Sequence, residues 1–400
     1  MQEKNTPLAI SLGAICALGP FATDMYVAAM PRMAQDLASS DAHIQLSMMT
    51  YFVGFTIGQL FYGPVSDRTG RKPMIYLALA IFVIASLGCL FSATAGQLLG
   101  FRFLQGIGGS IGMVIATASI RDVHTGQAAA KLMSAVVLVL SIAPVLAPLV
   151  GGVILQWASW RLIFAALAGL GVLVAFLTAA MLPETRAPAL RATSRPTAAV
   201  RWYARLLFTR SFIPYAGVLA LAQGGFFAYI AGSSFVLINV YGLSPITYAV
   251  IFSLNAIGIG IGTQIAAKLA SHIGIRAMVK VSTSVYAAAG LILLTMQLLG
   301  IAGLASVCVL LFVMVMTIGG IMPTCNVLAM EAHGAISGTA AALMGALGFG
   351  AGALGSFAIG ILDDGTALPL ILVMTVCAVA SALVALLTFG PSRQPREVAA

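Results

Sequence analysis

The sequence predicts an all-α membrane protein, with 12 transmembrane helices arranged as two pseudo-symmetric six-helix bundles. Three observations carry this reading. The 400 residues have a mean hydropathy of +1.05, with 60% hydrophobic and only 8% charged residues, more apolar surface than a soluble chain of this size can hide. Apolar windows of about 20 residues, each long enough for the bilayer core, recur along the whole chain. None alternates with period two, which argues against a β-barrel. Helices are then the structures that satisfy every backbone group in lipid.

In order, the windows fall near 8–30, 45–64, 74–92, 96–119, 132–156 and 160–182, then 212–236, 246–268, 278–298, 303–328, 335–361 and 366–389. The first reads as a span rather than a signal peptide. Its basic flank is weak, Pro20 and Asp24 interrupt it, and it is long enough to cross. The stretch 183–210 holds six arginines and three prolines. It reads as a basic linker between an N-terminal bundle, 1–182, and a C-terminal bundle, 211–400. From about Ala198 it has the makings of a basic amphipathic helix on the membrane surface.

The positive charges sort by side. With the N-terminus in the cytoplasm, 17 of the 20 Lys and Arg residues face inward, from Lys4 through the linker, Arg195 included, to Arg393 and Arg396. Arg32 and Arg161 face outward and Arg102 lies within a span. The positive-inside rule then puts both termini in the cytoplasm. The net charge of +9 faces anionic lipid, and the lipid bilayer rather than nucleic acid is the expected partner. The five cysteines lie in apolar segments without metal-ligand or CxxC spacing and read as packing residues. The four histidines fall near span ends. There is no zinc constellation, phosphate-binding glycine loop or nucleophile triad. No metal, no cofactor and no catalytic residue is expected, and the chain is read as no enzyme.

Asp24 is the most informative residue. A carboxylate at mid-depth in a span costs roughly 2.5–3.5 kcal/mol or more. Such an acid can take up and release a proton, which points to a proton-driven machine. Asp24 and Arg102 each lie about six residues from the outer end of their spans, roughly 9 Å deep at 1.5 Å per residue. Equal depth suits an ion pair, and Asp24 is expected to be wet and turned toward the gap between the bundles. Gln105 and Gly106 follow Arg102 on one helix face. Gln105 is a candidate to orient the guanidinium or meet cargo.

The loop after the second span reads GPVSDRTGRK (Gly63 to Lys72), and the loop after the eighth reads AKLASHIGIR (Ala267 to Arg276). Gly70 matches Gly274 and Lys72 matches Arg276 at a shift of 204. Two six-span halves with a site between them is a transporter plan.

These residues resemble the major facilitator superfamily. GPVSDRTGRK is similar to its loop motif, LGFRFLQGIGG (Leu99 to Gly109) to the span-4 motif of proton-coupled members, and APLVGG (Ala147 to Gly152) to the antiporter motif of drug exporters, with Ala147 where that pattern has Gly. TDMYVAAMP and FFAYIAGSSFVLINVYGLSP resemble the Bcr/CflA (bicyclomycin/chloramphenicol-resistance) branch. The resemblance covers essentially the whole chain. It implies the major facilitator fold and a drug/proton antiporter of the bacterial inner membrane, with the proton gradient as energy source. A monomer is expected. An exporter of a sugar or amino-acid metabolite is the alternative, and a membrane-embedded sensor or enzyme the alternative from another class.

Asp67 can pair with Arg68, Arg71 or Arg121, or cap a helix N-terminus, with Asp122 in the same network. That is either a latch for an inner gate or topological charge alone, and the resemblance favours the latch. In span 5, Pro144, Pro148, Gly151 and Gly152 suit a hinge, a seal against proton leak, or plain packing. For an apolar, aromatic cargo pocket the candidates are Tyr26, Tyr51, Phe55, Phe226, Tyr229 and Asn255.

Overall fold

The computed structural model describes residues 2–193 and 196–390. Arg195, Arg393, Arg396 and the Lys4 side chain lie outside the described residues. Among the described residues every regular element is helical, and 12 spans have the length and hydropathy to cross a membrane. The chain is a multi-pass membrane protein.

The first span is α1 (Gln2–Val27), followed by a short α2 (Met30–Asp36), α3 (Asp41–Thr69) and α4 (Arg71–Leu90). The fourth span divides at Ser110 into α5 (Ala95–Gly109) and α6 (Ile111–Val123). Then come α7 (Gly126–Trp157) and α8 (Arg161–Met181). The linker folds as α9 (Pro188–Thr193) and α10 (Pro196–Leu207). The remaining spans are α11 (Ile213–Ser234) with a π-helical extension (Phe235–Val240), α12 (Pro245–Ile273), α13 (Ile275–Leu298), α14 (Leu304–Glu331), α15 (Ser337–Leu362) and α16 (Leu368–Thr388).

Most helices outrun the apolar windows. The polar residues flanking α3 continue its hydrogen-bonded ladder, and Ser40 caps it by accepting from the His43 N–H at 3.2 Å. Thr94 and Ser244 cap α5 and α12 in the same way.

The two copies of the loop are built alike. Gly70 (φ +106°) joins α3 to α4, and Gly274 (φ +86°) joins α12 to α13. Both lie in the left-handed region that glycine alone enters cheaply. The repeat extends to the helix crossings. A Cβ on Gly54 would collide with the Phe103 carbonyl, and one on Gly106 with the Tyr51 carbonyl, so α3 and α5 meet backbone to backbone. Gly262 and Gly319 make the same reciprocal contact between α12 and α14. Small residues at such crossings replace the hydrophobic drive that lipid removes.

The first six spans meet the last six along α3–α15 and α7–α12, with lighter contact between α1 and α11. The end that carries the 63–72 loop and the linker is the basic end. There α10 rests on both α3 and α15. Pro64 has no N–H, so the Leu60 carbonyl of α3 has no helical donor. The Tyr203 hydroxyl of α10 donates to that carbonyl at 3.3 Å. At the opposite end Arg32 and Arg161 donate to the carbonyls of Leu155 and Ser92.

Candidate functional site

Asp24 sits on the last turn of α1 and is only 5% exposed. Its carboxylate accepts a hydrogen bond from its neighbour Thr23 Oγ1 at 2.8 Å. It lies close enough to interact electrostatically with Tyr51 of α3, Tyr229 of α11 and Tyr248 of α12. The carboxyl therefore lies within electrostatic reach of tyrosines on both halves. It is not wet in this conformation, and that corrects the expectation. The halves touch at both ends, which leaves the acid enclosed. At the basic end Arg121 reaches Gly338 of α15. At the opposite end Asn239 donates to Asp41 at 2.8 Å, and Leu46 packs on Gly360.

Arg102 is fully buried and does not pair with Asp24, which corrects the second expectation. Its guanidinium lies between the rings of Tyr26, at 4.1 Å, and Tyr51, at 4.3 Å. Nη1 donates to the Ala22 carbonyl at 2.9 Å and to Gln105 Oε1, while Nη2 lies 3.5 Å from Met48 Sδ. Gln105 in turn donates to Ser86 Oγ at 2.8 Å. Arg102 reaches α1 at the Ala22 carbonyl rather than at the acid. Ala22 and Asp24 are two residues apart on α1, and such residues point in different directions. Arg102 holds the Ala22 backbone carbonyl, and both it and the acid lie near Tyr51. Gln105 accepts from the guanidinium and is itself held by Ser86.

The cargo candidates divide. Tyr26 and Tyr51 hold Arg102 and are closed to a ligand here. Phe55 stacks on Phe349 of α15 with centroids 4.0 Å apart. Phe227 lies 4.5 Å from Phe52 and 4.8 Å from Phe349. This four-ring cluster joins the two halves at mid-depth, and the sequence reading named only Phe55 of it. Phe226 is half-buried beside Tyr229. Asn255 donates to the Tyr229 hydroxyl at 2.6 Å, and Tyr248 shares a 2.9 Å hydrogen bond with Ser233.

The fifth span, α7, remains one helix through Pro144 and Pro148. A Cβ on Gly151 would strike the Met25 carbonyl of α1. Gly152 faces Ile246 and Ala249 of α12, and Ser253 donates to the Val145 carbonyl at 2.8 Å. α7 is thus wedged between α1, one residue from the acid, and the other half of the molecule.

At the basic end Arg71 is the hub. It pairs with Asp67 and Asp122, both at 2.8 Å, and donates to Ser66 Oγ at 2.6 Å. Arg186 of the linker also reaches Asp122, at 3.3 Å, and Asp67, at 3.7 Å. Asp67 pairs with neither Arg68 nor Arg121. The former is exposed and the latter lies against Gly338. Gly63 approaches Val114 of α6. The helix cap expected of Asp67 is supplied by Glu184, which sequence reasoning missed. Its carboxylate accepts from the backbone N–H groups of Arg71 at 3.0 Å and Lys72 at 3.1 Å, the first turn of α4, and pairs with Arg191 at 3.6 Å. A Cβ on Gly70 would meet Glu184 Oε2 at 2.7 Å. The only advance signal was an acid just after a span.

Partial burial opposes the charge on Glu184, but the N–H groups of Arg186, Arg71 and Lys72 and the Arg191 guanidinium outweigh it and hold the carboxyl below its usual range. A depressed acid stabilises the fold above its ordinary value of 4.5, and that contribution fades as pH falls through the lowered value. Glu184→Gln is therefore expected to melt at lower temperature at neutral pH and to show a shallower fall in melting temperature on acidification. Melting curves of the purified protein against pH check both, and an unchanged acid slope refutes the assignment.

A family model described as Major Facilitator Superfamily matches residues 12–356. The chain belongs to the major facilitator superfamily. It is 36% identical over 383 residues to the uncharacterized MFS-type transporter YdgK of Bacillus subtilis, covering 95% of both chains. It is 28% identical to the bicyclomycin resistance protein homolog of Haemophilus influenzae, covering 96% of each. It is 32% identical to the multidrug resistance protein MdtL of Escherichia coli, covering 70% of this chain and 71% of that one. These relatives agree with the Bcr/CflA resemblance. Among solved structures, a D-xylose-proton symporter matches with a TM-score of 0.73 at 20% identity, covering 96% of this chain and 97% of that one, which shows the shared fold. The protein is a transporter.

Proposed function

We propose that this transporter exports small, largely apolar compounds across the bacterial inner membrane in exchange for protons, as a monomer with both termini in the cytoplasm. Residues 1–182 and 211–400 then act as two bodies that rock about the gap, tied by the linker 183–210. The observation that carries the reading is Asp24, a buried carboxylate in the first span within electrostatic reach of tyrosines of the opposite half. Relatives named for drug resistance support the cargo class. So does the aromatic cluster at mid-depth.

In this cycle the basic end opens to the cytoplasm with Asp24 ionised, and cargo enters. The halves rock, the opposite end opens, and Asp24 takes a proton as cargo leaves. Return and proton release reset the machine. Cargo and proton exclude one another thermodynamically and need not touch the same atoms. The present conformation, touching at both ends, belongs between the two open states. Everted membrane vesicles with an acidic interior test the reading. Small neutral aromatic compounds, chloramphenicol first, are added one at a time. Loss of the pH gradient on addition, absent from vesicles without the protein, is the expected result. A gradient that no compound disturbs sinks it.

A further inference from the structure

Two buried carboxamides flank the aromatic cluster on its basic-end side, one from each half. Gln59 of α3 is 7% exposed and Gln223 of α11 is 5% exposed. Oε1 of each is buried with no hydrogen-bond partner. The Gln223 amide nitrogen has only Met322 Sδ near it, at 4.0 Å. Leaving a buried polar group unpaired costs on the order of 1–3 kcal/mol. Two such groups side by side mark a place where something else supplies the partner.

Both amides rest on one strip of α15. A Cβ on Gly345 would collide with the Gln59 amide, and one on Gly348 with Gln223 Oε1. These glycines are three residues apart and so share a helix face, about 5–6 Å from each other. The rings belong to the same patch. Phe55 precedes Gln59 by one helical turn, Phe227 follows Gln223 by one turn, and Phe349 adjoins Gly348. Parting α3 from α15 uncovers Gln59 while Gln223 stays with the second half.

We propose that Gln59 and Gln223 form a cargo subsite for neutral cyclic amides that carry an aromatic ring. A side-chain carboxamide presents an acceptor and a donor side by side. Its complement is an amide whose N–H and C=O lie on the same edge, which in a secondary amide requires the cis form. Open-chain secondary amides pay about 2.5–4 kcal/mol for that geometry, whereas a small lactam ring is locked in it. The phenylalanine cluster takes the aromatic part. Neither Oε1 accepts from an ionised side chain, which suits an uncharged cargo. This subsite rests on the export reading, because it lies between the same two halves.

The test is equilibrium binding to the purified full-length transporter of 2-quinolinone, an aromatic lactam, against its N-methyl derivative, which lacks the N–H. The wild type is expected to prefer the lactam about tenfold, the worth of one to two well-made hydrogen bonds. Gln59→Met and Gln223→Met, with melting temperature as the folding control, should each shrink that preference to about twofold or less. Should either fail to fold, Gly348→Ala, which pushes the Gln223 amide from its seat, reads the same preference. No preference in the wild type, or a preference that survives the substitutions, overturns the proposal. The failures separate cleanly. A lactam preference without cargo-driven proton flux sinks the export reading and keeps the subsite, whereas flux without the preference does the reverse.

Discussion

Asp24→Asn is expected to abolish cargo-driven proton movement while the protein still folds. Asparagine matches aspartate in shape, and its Oδ1 still accepts from Thr23 Oγ1, the hydrogen bond that Asp24 makes at 2.8 Å. It cannot bind and release a proton. Burying a neutral amide at this depth costs less than burying a carboxylate, so the melting temperature should hold or rise. Among the described residues no other acid lies at mid-span. Asp36, Asp41, Asp67, Asp122, Glu184, Glu331, Asp363 and Asp364 sit at span ends or in connections. In vesicles holding a pH gradient, the variant should respond to cargo no more than vesicles lacking the protein. Cargo binding to the purified variant should persist, and should lose the pH dependence that competition with a proton imposes. A variant that still dissipates the gradient on cargo addition would show that the coupling proton travels elsewhere. Asp24→Glu, which keeps the acid and moves it by one methylene, should retain part of the flux, which separates loss of the carboxyl from loss of shape.

The spans were legible because hydropathy is a property of composition, and each crossing needs its own run of apolar residues. Their ends were less legible. Polar residues such as Asp41 and Asp67 read as loop, yet they keep α3 helical and pair or cap at the interface. Asp24 and Arg102 stood out singly because any charge at depth is costly. Their relation did not, because depth follows from counting residues whereas azimuth depends on how α1 and α5 rotate against their neighbours. The 63–72 loop was found through its motif, but its main clamp, Glu184, lies 112 residues from Lys72 in sequence and no local pattern announces it. Gln59 and Gln223 were invisible for a different reason. A glutamine in a span reads the same whether it is satisfied or orphaned, and only packing against Gly345 and Gly348 distinguishes the two.

Packing also sets the other large effect. Gly106→Ala should strongly reduce the amount of folded protein, whereas Gly100→Ala, less than two turns earlier on the same helix, should be neutral or mildly stabilising. The helix propensity gain is the same for both, up to about 1 kcal/mol on soluble scales. The surroundings differ. A Cβ on Gly100 meets nothing within 4 Å. One on Gly106 enters the carbonyl of Tyr51 and lies 3.0 Å from the Phe55 nitrogen, all backbone of α3 that no rotamer change can move. The helices must separate, and overpacking of this kind costs about 1–3 kcal/mol or more. Separation also pulls Tyr51 away from the Arg102 guanidinium it covers, so the damage reaches the candidate site. The second half offers an independent replicate. Gly262→Ala drives a methyl into the Met316 carbonyl of α14, while Gly260→Ala, on the same helix, points into open space. Melting temperatures and detergent-extracted yields of the four variants decide the matter. If the 106 and 262 variants behave like their partners at 100 and 260, the close crossings do not hold each half together, and the structural repeat rests on the loops alone.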